Sequence, residues 1–153
     1  MADFATAIEY VLANEGGYNP NDNGAPSNFG IRQAGPYAQI DVKTLTRDEA
    51  VAIYERDFWA FGGFISQRVA TKMLDIYVNE PPAIAIRILQ RALVWLGQHI
   101  TVDGAFGPIT VAAVNTSCAD KLVDEIKFQL VDHYRKNADP SVLDGLLRRA
   151  VKG

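Results

Sequence analysis

A mainly α chain with one irregular loop after its first helix is what this sequence predicts, and three observations carry the prediction. Apolar residues recur at helical spacing in most segments outside the turns. No segment of any length alternates apolar and polar residues as a half-buried strand would. The stretch from Gly16 to Asn28 is too dense in Gly, Pro, Asn and Asp for a helix and too long for a plain connector, which leaves room there for a small β element.

Taken in order, the first helix runs from about Asp3 to Glu15, with Phe4, Ile8, Val11 and Leu12 on its apolar face. After the loop and Gly30-Ile31 comes a short helical piece broken around Gly35-Pro36. Thr46-Arg47-Asp48-Glu49 reads as a capping box, and it starts a helix through Ala50, Ile53, Tyr54 and Phe58 that ends near Gly62-Gly63. The next helix spans about Ser66 to Asn79, and Pro81-Pro82 opens another whose core face is Ile84, Ile88, Leu89, Ala92, Leu93 and Leu96, stopped by Gly97. Val102 to Pro108 forms a turn, and Pro108 begins a helix through Val111 and Val114. The last long helix covers roughly Asp120 to Asn137, with Leu122, Ile126, Leu130 and Val131 inward. Asp139-Pro140 then precedes a final helix through Leu143, Leu146 and Leu147. A boundary between Asn79 and Pro82 divides the chain into lobes 1–79 and 80–153, expected to pack as one compact unit.

Composition narrows the function classes. The 153 residues are 48% hydrophobic and 22% charged, which suits one globular core, or one core carrying a small lobe. A net charge of -3 provides no electrostatic footprint for nucleic acid. Arg148, Arg149 and Lys152 read as a solvated helix end. The single cysteine, Cys118, excludes an internal disulfide and reads as a small, partly buried core residue, since nothing places His99 or His133 beside it. Two histidines without a cysteine cluster argue against a metal site. Met1-Ala2-Asp3-Phe4 lacks the basic region and apolar run of a signal peptide, and no apolar run approaches a membrane span. The expectation is synthesis in the cytoplasm, with any other destination reached by a separate route.

The chemistry concentrates at Asn14-Glu15-Gly16-Gly17-Tyr18. Glu15 continues the apolar stripe of the first helix at the point where two glycines break it. Lost hydration and the negative end of the helix dipole both favour the protonated carboxyl, the form a general acid needs to donate to a leaving oxygen.

The run from Val11 to Ile31, VLANEGGYNPNDNGAPSNFGI, resembles the start of the glycoside hydrolase family 108 lysozymes, muramidases of phages and bacterial secretion systems. Leu45-Thr46-Arg47-Asp48-Glu49-Ala50, Ile53-Tyr54 and Asp57-Phe58-Trp59 are similar to the pattern that follows in that family. Asp75 to Asn79, Leu89-Gln90-Arg91-Ala92-Leu93 and Val102-Asp103-Gly104 with Gly107-Pro108 and Thr110 resemble the predicted peptidoglycan domain that accompanies it.

The resemblance implies a lysozyme-like helical fold, a catalytic first lobe and a peptidoglycan-domain second lobe. It implies Glu15 as the acid that protonates the glycosidic oxygen after N-acetylmuramic acid, with no cofactor. Asp22 aligns with the loop aspartate of the family, as a base, as a stabiliser of the oxocarbenium-like transition state, or as an Asx-turn residue holding the loop. Sugar rings present flat apolar faces edged with hydroxyls, so Tyr18, Ser27, Asn28, Phe29, Tyr54, Asp57, Trp59 and Asn79 are the substrate-binding candidates. Individually, Phe29, Tyr54 and Phe58 also suit core packing, Asp57 a surface charge and Asn79 a C-cap. The loop departs from the family at Asn23, Ala25 and Ser27, and the ending Gly145-Leu146-Leu147-Arg148-Arg149 lacks the usual Gly-Trp pattern.

The expected partner is the peptidoglycan glycan strand, reached by a monomer through a separate holin or export machinery. The wall, periplasmic in a Gram-negative host, is the expected place of action. Two other readings stand beside the hydrolase: a lytic transglycosylase in which Glu15 acts alone, and a wall-binding module without activity, favoured only by Asn23 and Ala25.

Overall fold

A computed structural model describes residues 1–152, and these form seven α-helices and one three-stranded antiparallel sheet. The mainly α class and the small β element after the first helix are both as expected. By compactness the chain forms two units, Asp3–Ala60 and the residues from Phe61 onward with Met1–Ala2.

In the first unit, α1 (Phe4–Asn14) starts at Asp3, whose carboxylate accepts from the Thr6 amide at 2.9 Å. The helix buries Phe4, Ala7, Ile8 and Val11. Then come β1 (Asn19–Asp22), β2 (Ala25–Asn28) and β3 (Ile31–Arg32), joined in the order β1-β2-β3. The supposed loop is therefore two tight hairpins. Each turns on two residues with positive φ, Asn23 (53°) with Gly24 (87°) and Phe29 (50°) with Gly30 (78°). That backbone matches the right-handed twist of the flanking strands. Asn19 pairs with Ser27 and Asp22 with Ala25, so β1 carries an extra residue beside Pro20, where a missing amide donor is tolerated.

Two sequence expectations shift in this unit. Pro36 sits in the first turn of a short 3-10 segment, Gly35–Tyr37, which it starts rather than breaks. Helix α2 (Arg47–Phe58) begins with the reciprocal Thr46–Glu49 capping box but stops well before Gly62-Gly63. Trp59 is already extended, and its ring packs against Phe4 at 5.6 Å.

The second unit contains α3 (Gln67–Asn79), α4 (Pro82–Trp95), α5 (Pro108–Thr116), α6 (Ala119–Asn137) and α7 (Pro140–Ala150). Its core collects Met73, Leu74, Ile86, Ile88, Leu89, Leu93, Leu122 and Ile126, each essentially fully buried. Burial of one such side chain contributes about 1.5–3 kcal/mol, so these faces hold the helices together. Gly97 ends α4 in a Schellman motif: its own amide donates to Val94 and the Gln98 amide reaches back to Leu93 at 2.9 Å.

A buried charge cluster docks α7. Asp75 accepts from Arg149 Nη2 at 2.9 Å, and Lys72 Nζ donates to the Lys152 carbonyl at 2.8 Å. Its bonds to the buried Asp75 carboxylate make the half-buried Arg149 a structural tie rather than part of a solvated helix end. Cys118 is likewise not a core residue. It is exposed at the N-cap position of α6, because the α5–α6 junction turns it outward between two helices. Gln90, 2% exposed, clamps the Asp103-Gly104 turn. It donates to Asp103 Oδ1 at 2.8 Å and to the Ala105 carbonyl at 3.0 Å, and accepts from the Gly104 amide at 2.8 Å.

Candidate active site

Glu15 leaves α1 as its C-cap. Its amide still donates to Val11 at 3.1 Å, but its backbone is extended (φ -84°, ψ 145°). The side chain is half-buried, and its carboxylate lies against the second hairpin turn. A Cβ added at Gly30 would stand 2.6 Å from Glu15 Oε2 and 2.6 Å from the Tyr54 hydroxyl. Only glycine leaves room for both groups here, and its φ of 78° is one that glycine adopts without strain.

Tyr54 fixes the turn from the other side. It is 1% exposed on α2 and donates its hydroxyl to the Phe29 carbonyl at 2.9 Å. Phe29 itself is bulky and left-handed at φ 50°, a conformation that costs energy and persists only where the surroundings hold it. Asn28, 8% exposed, adds a second anchor by donating to the Val42 carbonyl at 3.0 Å. Helix α1, the β2–β3 turn and α2 thus converge on one carboxylate.

Asp22 stands at the tip of the first hairpin, where its carboxylate accepts from Asn23 Nδ2 at 3.3 Å. The loop-holding hydrogen bonds are made by its neighbours. Asn19 Oδ1 accepts from the Asn21 amide and Asn21 Oδ1 from the Gly24 amide, each at 3.0 Å. These asparagines, missed in the sequence, are legible once Asn23-Gly24 is taken as a hairpin turn.

The remaining candidates divide by environment. Tyr18 is 46% exposed at the entry to β1, free to meet a flat ring face. Ser27 is buried on β2, and Tyr54 and Asn28 serve the turn rather than presenting polar atoms to solvent. Asp57 is held by Arg56 through two bonds of 2.7 Å and by the Tyr37 hydroxyl at 2.9 Å. The Arg56 guanidinium keeps its carboxyl below the usual range, and burial with Asp57 pushes the Tyr37 phenol up to about 12. Trp59 packs at a tilt against Phe4. Asn79 belongs to the second unit, where it donates to the Asp75 carbonyl at 2.7 Å. Among the described residues no group of three or more His, Cys, Asp or Glu is arranged to hold a metal, and no helix is long and apolar enough to cross a membrane.

Comparison with known proteins bears on both halves. Residues 8–80 match the family described as glycosyl hydrolase 108, and residues 84–149 match the predicted peptidoglycan domain. Among solved structures, Brucella abortus SagA is similar over 97% of this chain and 93% of its own, at 27% identity and a TM-score of 0.73. No curated protein matches.

Proposed function

Over residues 8–80 this chain belongs to glycosyl hydrolase family 108, and with its peptidoglycan domain it is a glycoside hydrolase of peptidoglycan; from that premise we propose a muramidase with Glu15 as general acid. The bond cut is the β-1,4 link from N-acetylmuramic acid to N-acetylglucosamine. The observation that carries this reading is the carboxylate held beside the Phe29-Gly30 turn.

In the proposed reaction Glu15 donates its proton to the glycosidic oxygen as the C–O bond breaks. Positive charge develops at the sugar carbon, and water adds to it after losing a proton. Asp22, whose loop-holding work is done by Asn19 and Asn21, is the second carboxylate: it takes the water's proton or stabilises the cationic sugar. Tyr18 offers an aromatic platform for a sugar ring. No cofactor enters the scheme. The enzyme acts at the cell wall, as a monomer, after release by separate machinery.

Product mass tests the reaction type. Digestion of purified peptidoglycan in water enriched in oxygen-18 is expected to yield reducing muropeptides carrying the label. Unlabelled anhydro products would reassign the chain to the lytic transglycosylases, and binding without release of products would make it a wall-binding module.

A further inference from the structure

The second unit contributes no residue to the proposed reaction, yet it holds a charged cavity. It measures about 460 Å³ and lies where α4 meets the C-terminal half of α6. Arg87 and Arg91, one turn apart on α4, line it together with Lys136 of α6. Three permanent cations therefore face a single carboxylate, Asp132, in a chain whose net charge is -3. Asp132 is already paired with Lys136 at 2.6 Å. Arg87 reaches the Val102 carbonyl at 3.5 Å and is close enough to the Asp103 carboxylate to favour its charged form, whereas among the described residues no hydrogen bond or ion pair engages exposed Arg91. His133 is turned to Glu80, 3.4 Å away, and an imidazole, neutral or cationic, adds no negative charge to the lining.

We infer that this cavity binds the carboxylates of a short peptide that also carries a free amine, the class to which the cross-linking peptides of peptidoglycan belong. Two planar guanidinium forks suit two separate carboxylates, each held by paired N–H donors. The ligand's ammonium group would meet Asp132 and its methylene stem Ile84, both in the lining. A purely anionic ligand such as a polyphosphate would instead set negative charge against Asp132. A volume of this size lies within the range of small-ligand sites. The second unit then grips the peptide while the first cuts the glycan. The inference rests on peptidoglycan being the substrate, but it concerns a different part of the polymer.

The test is calorimetric titration of the full chain with the tripeptide L-Ala-γ-D-Glu-diaminopimelate, with its amidated form, and with inorganic pyrophosphate. The tripeptide is expected to bind wild type, and both amidation and Arg91→Gln are expected to weaken binding about tenfold or more, as loss of a charge-assisted pair does. An unchanged thermal midpoint for Arg91→Gln shows that the fold is kept; if it is not, Arg91→Lys, which keeps the charge but loses the fork, takes its place and should also bind more weakly. No binding of the tripeptide, or binding indifferent to the Arg91 variants and to amidation, overturns the inference. Tighter binding of pyrophosphate with the same Arg91 dependence overturns it in favour of a phosphate site. Because the readout is peptide binding, absence of glycan cleavage by wild type would sink the muramidase reading and leave this one standing.

Discussion

Adding one methyl group at Gly30 should disarm the site without unfolding the protein. The Cβ of Gly30→Ala would fall 2.6 Å from both Glu15 Oε2 and the Tyr54 hydroxyl, too close for either to stay where it is. Tyr54 is a rigid ring, 1% exposed and hydrogen-bonded to the turn, so it resists displacement. The Glu15 carboxylate ends a flexible side chain and will rotate away. Holding alanine at a φ of 78° costs about 1–2 kcal/mol, which lowers the thermal midpoint by about 2–4 °C per kcal/mol for a chain of this size. Misplacing a catalytic group by an ångström costs about a hundredfold in rate. Gly97→Ala is the matched control: its φ is 89° and nothing lies within 4 Å of the added carbon, so it carries the backbone strain alone. Turnover of purified peptidoglycan and thermal unfolding should separate the two variants, with a stability loss at position 30 that exceeds the one at position 97 by the cost of the Tyr54 contact, and a large rate loss only at position 30. Equal activity in both would refute the placement of Glu15 against this turn.

Tyr54→Phe removes the donor to the Phe29 carbonyl; it should cost about 1–2 kcal/mol and lower kcat by roughly tenfold with KM little changed, as steady-state kinetics would reveal. Asp75→Asn leaves Lys72 and Arg149 facing a neutral group in a buried cluster, so denaturant unfolding should report a loss of about 3–5 kcal/mol. Asp103 is held below its ordinary value of 3.8 first by the Ala105 amide and then by the Gln90 side chain. The unfolded chain therefore takes up this proton first: the stabilisation is complete above the unfolded value and is lost as pH falls through the folded one. In NMR titrations the Gly104 and Ala105 amides should move together with a midpoint below 3.8, and a midpoint at or above it would contradict the clamp.

How much of this was legible in the sequence follows from the range of the forces involved. The helices were legible because their signals are local: Thr46 with Glu49, Pro82 and Pro108 in first turns, and Gly97 at a helix end all act within a few residues. The hairpins were hidden because β1, Asn-Pro-Asn-Asp, is polar and mostly exposed, so no alternation marks it. The Asn23-Gly24 pair was the available signal, and the second turn had none, since Phe29 takes its left-handed backbone only under the hold of Tyr54. Glu15 stood out through its place on the α1 stripe, whereas Gly30 as its neighbour depends on a contact across the fold. Arg149 and Cys118 were misplaced for the same reason: the charge of one is matched by Asp75 far along the chain, and the exposure of the other is set by a helix junction.

The central claim is that Glu15 is the proton donor, and the most direct measurement is the rate of reducing-end release from purified peptidoglycan by wild type and Glu15→Gln. The amide keeps the shape and hydrogen-bonding capacity of the side chain but has no proton to give at the leaving oxygen. If Glu15 is the acid, turnover falls about 10²–10⁴-fold while binding to the wall polymer is retained. Turnover within a few-fold of wild type would contradict it, and the acid would have to be sought elsewhere in the chain.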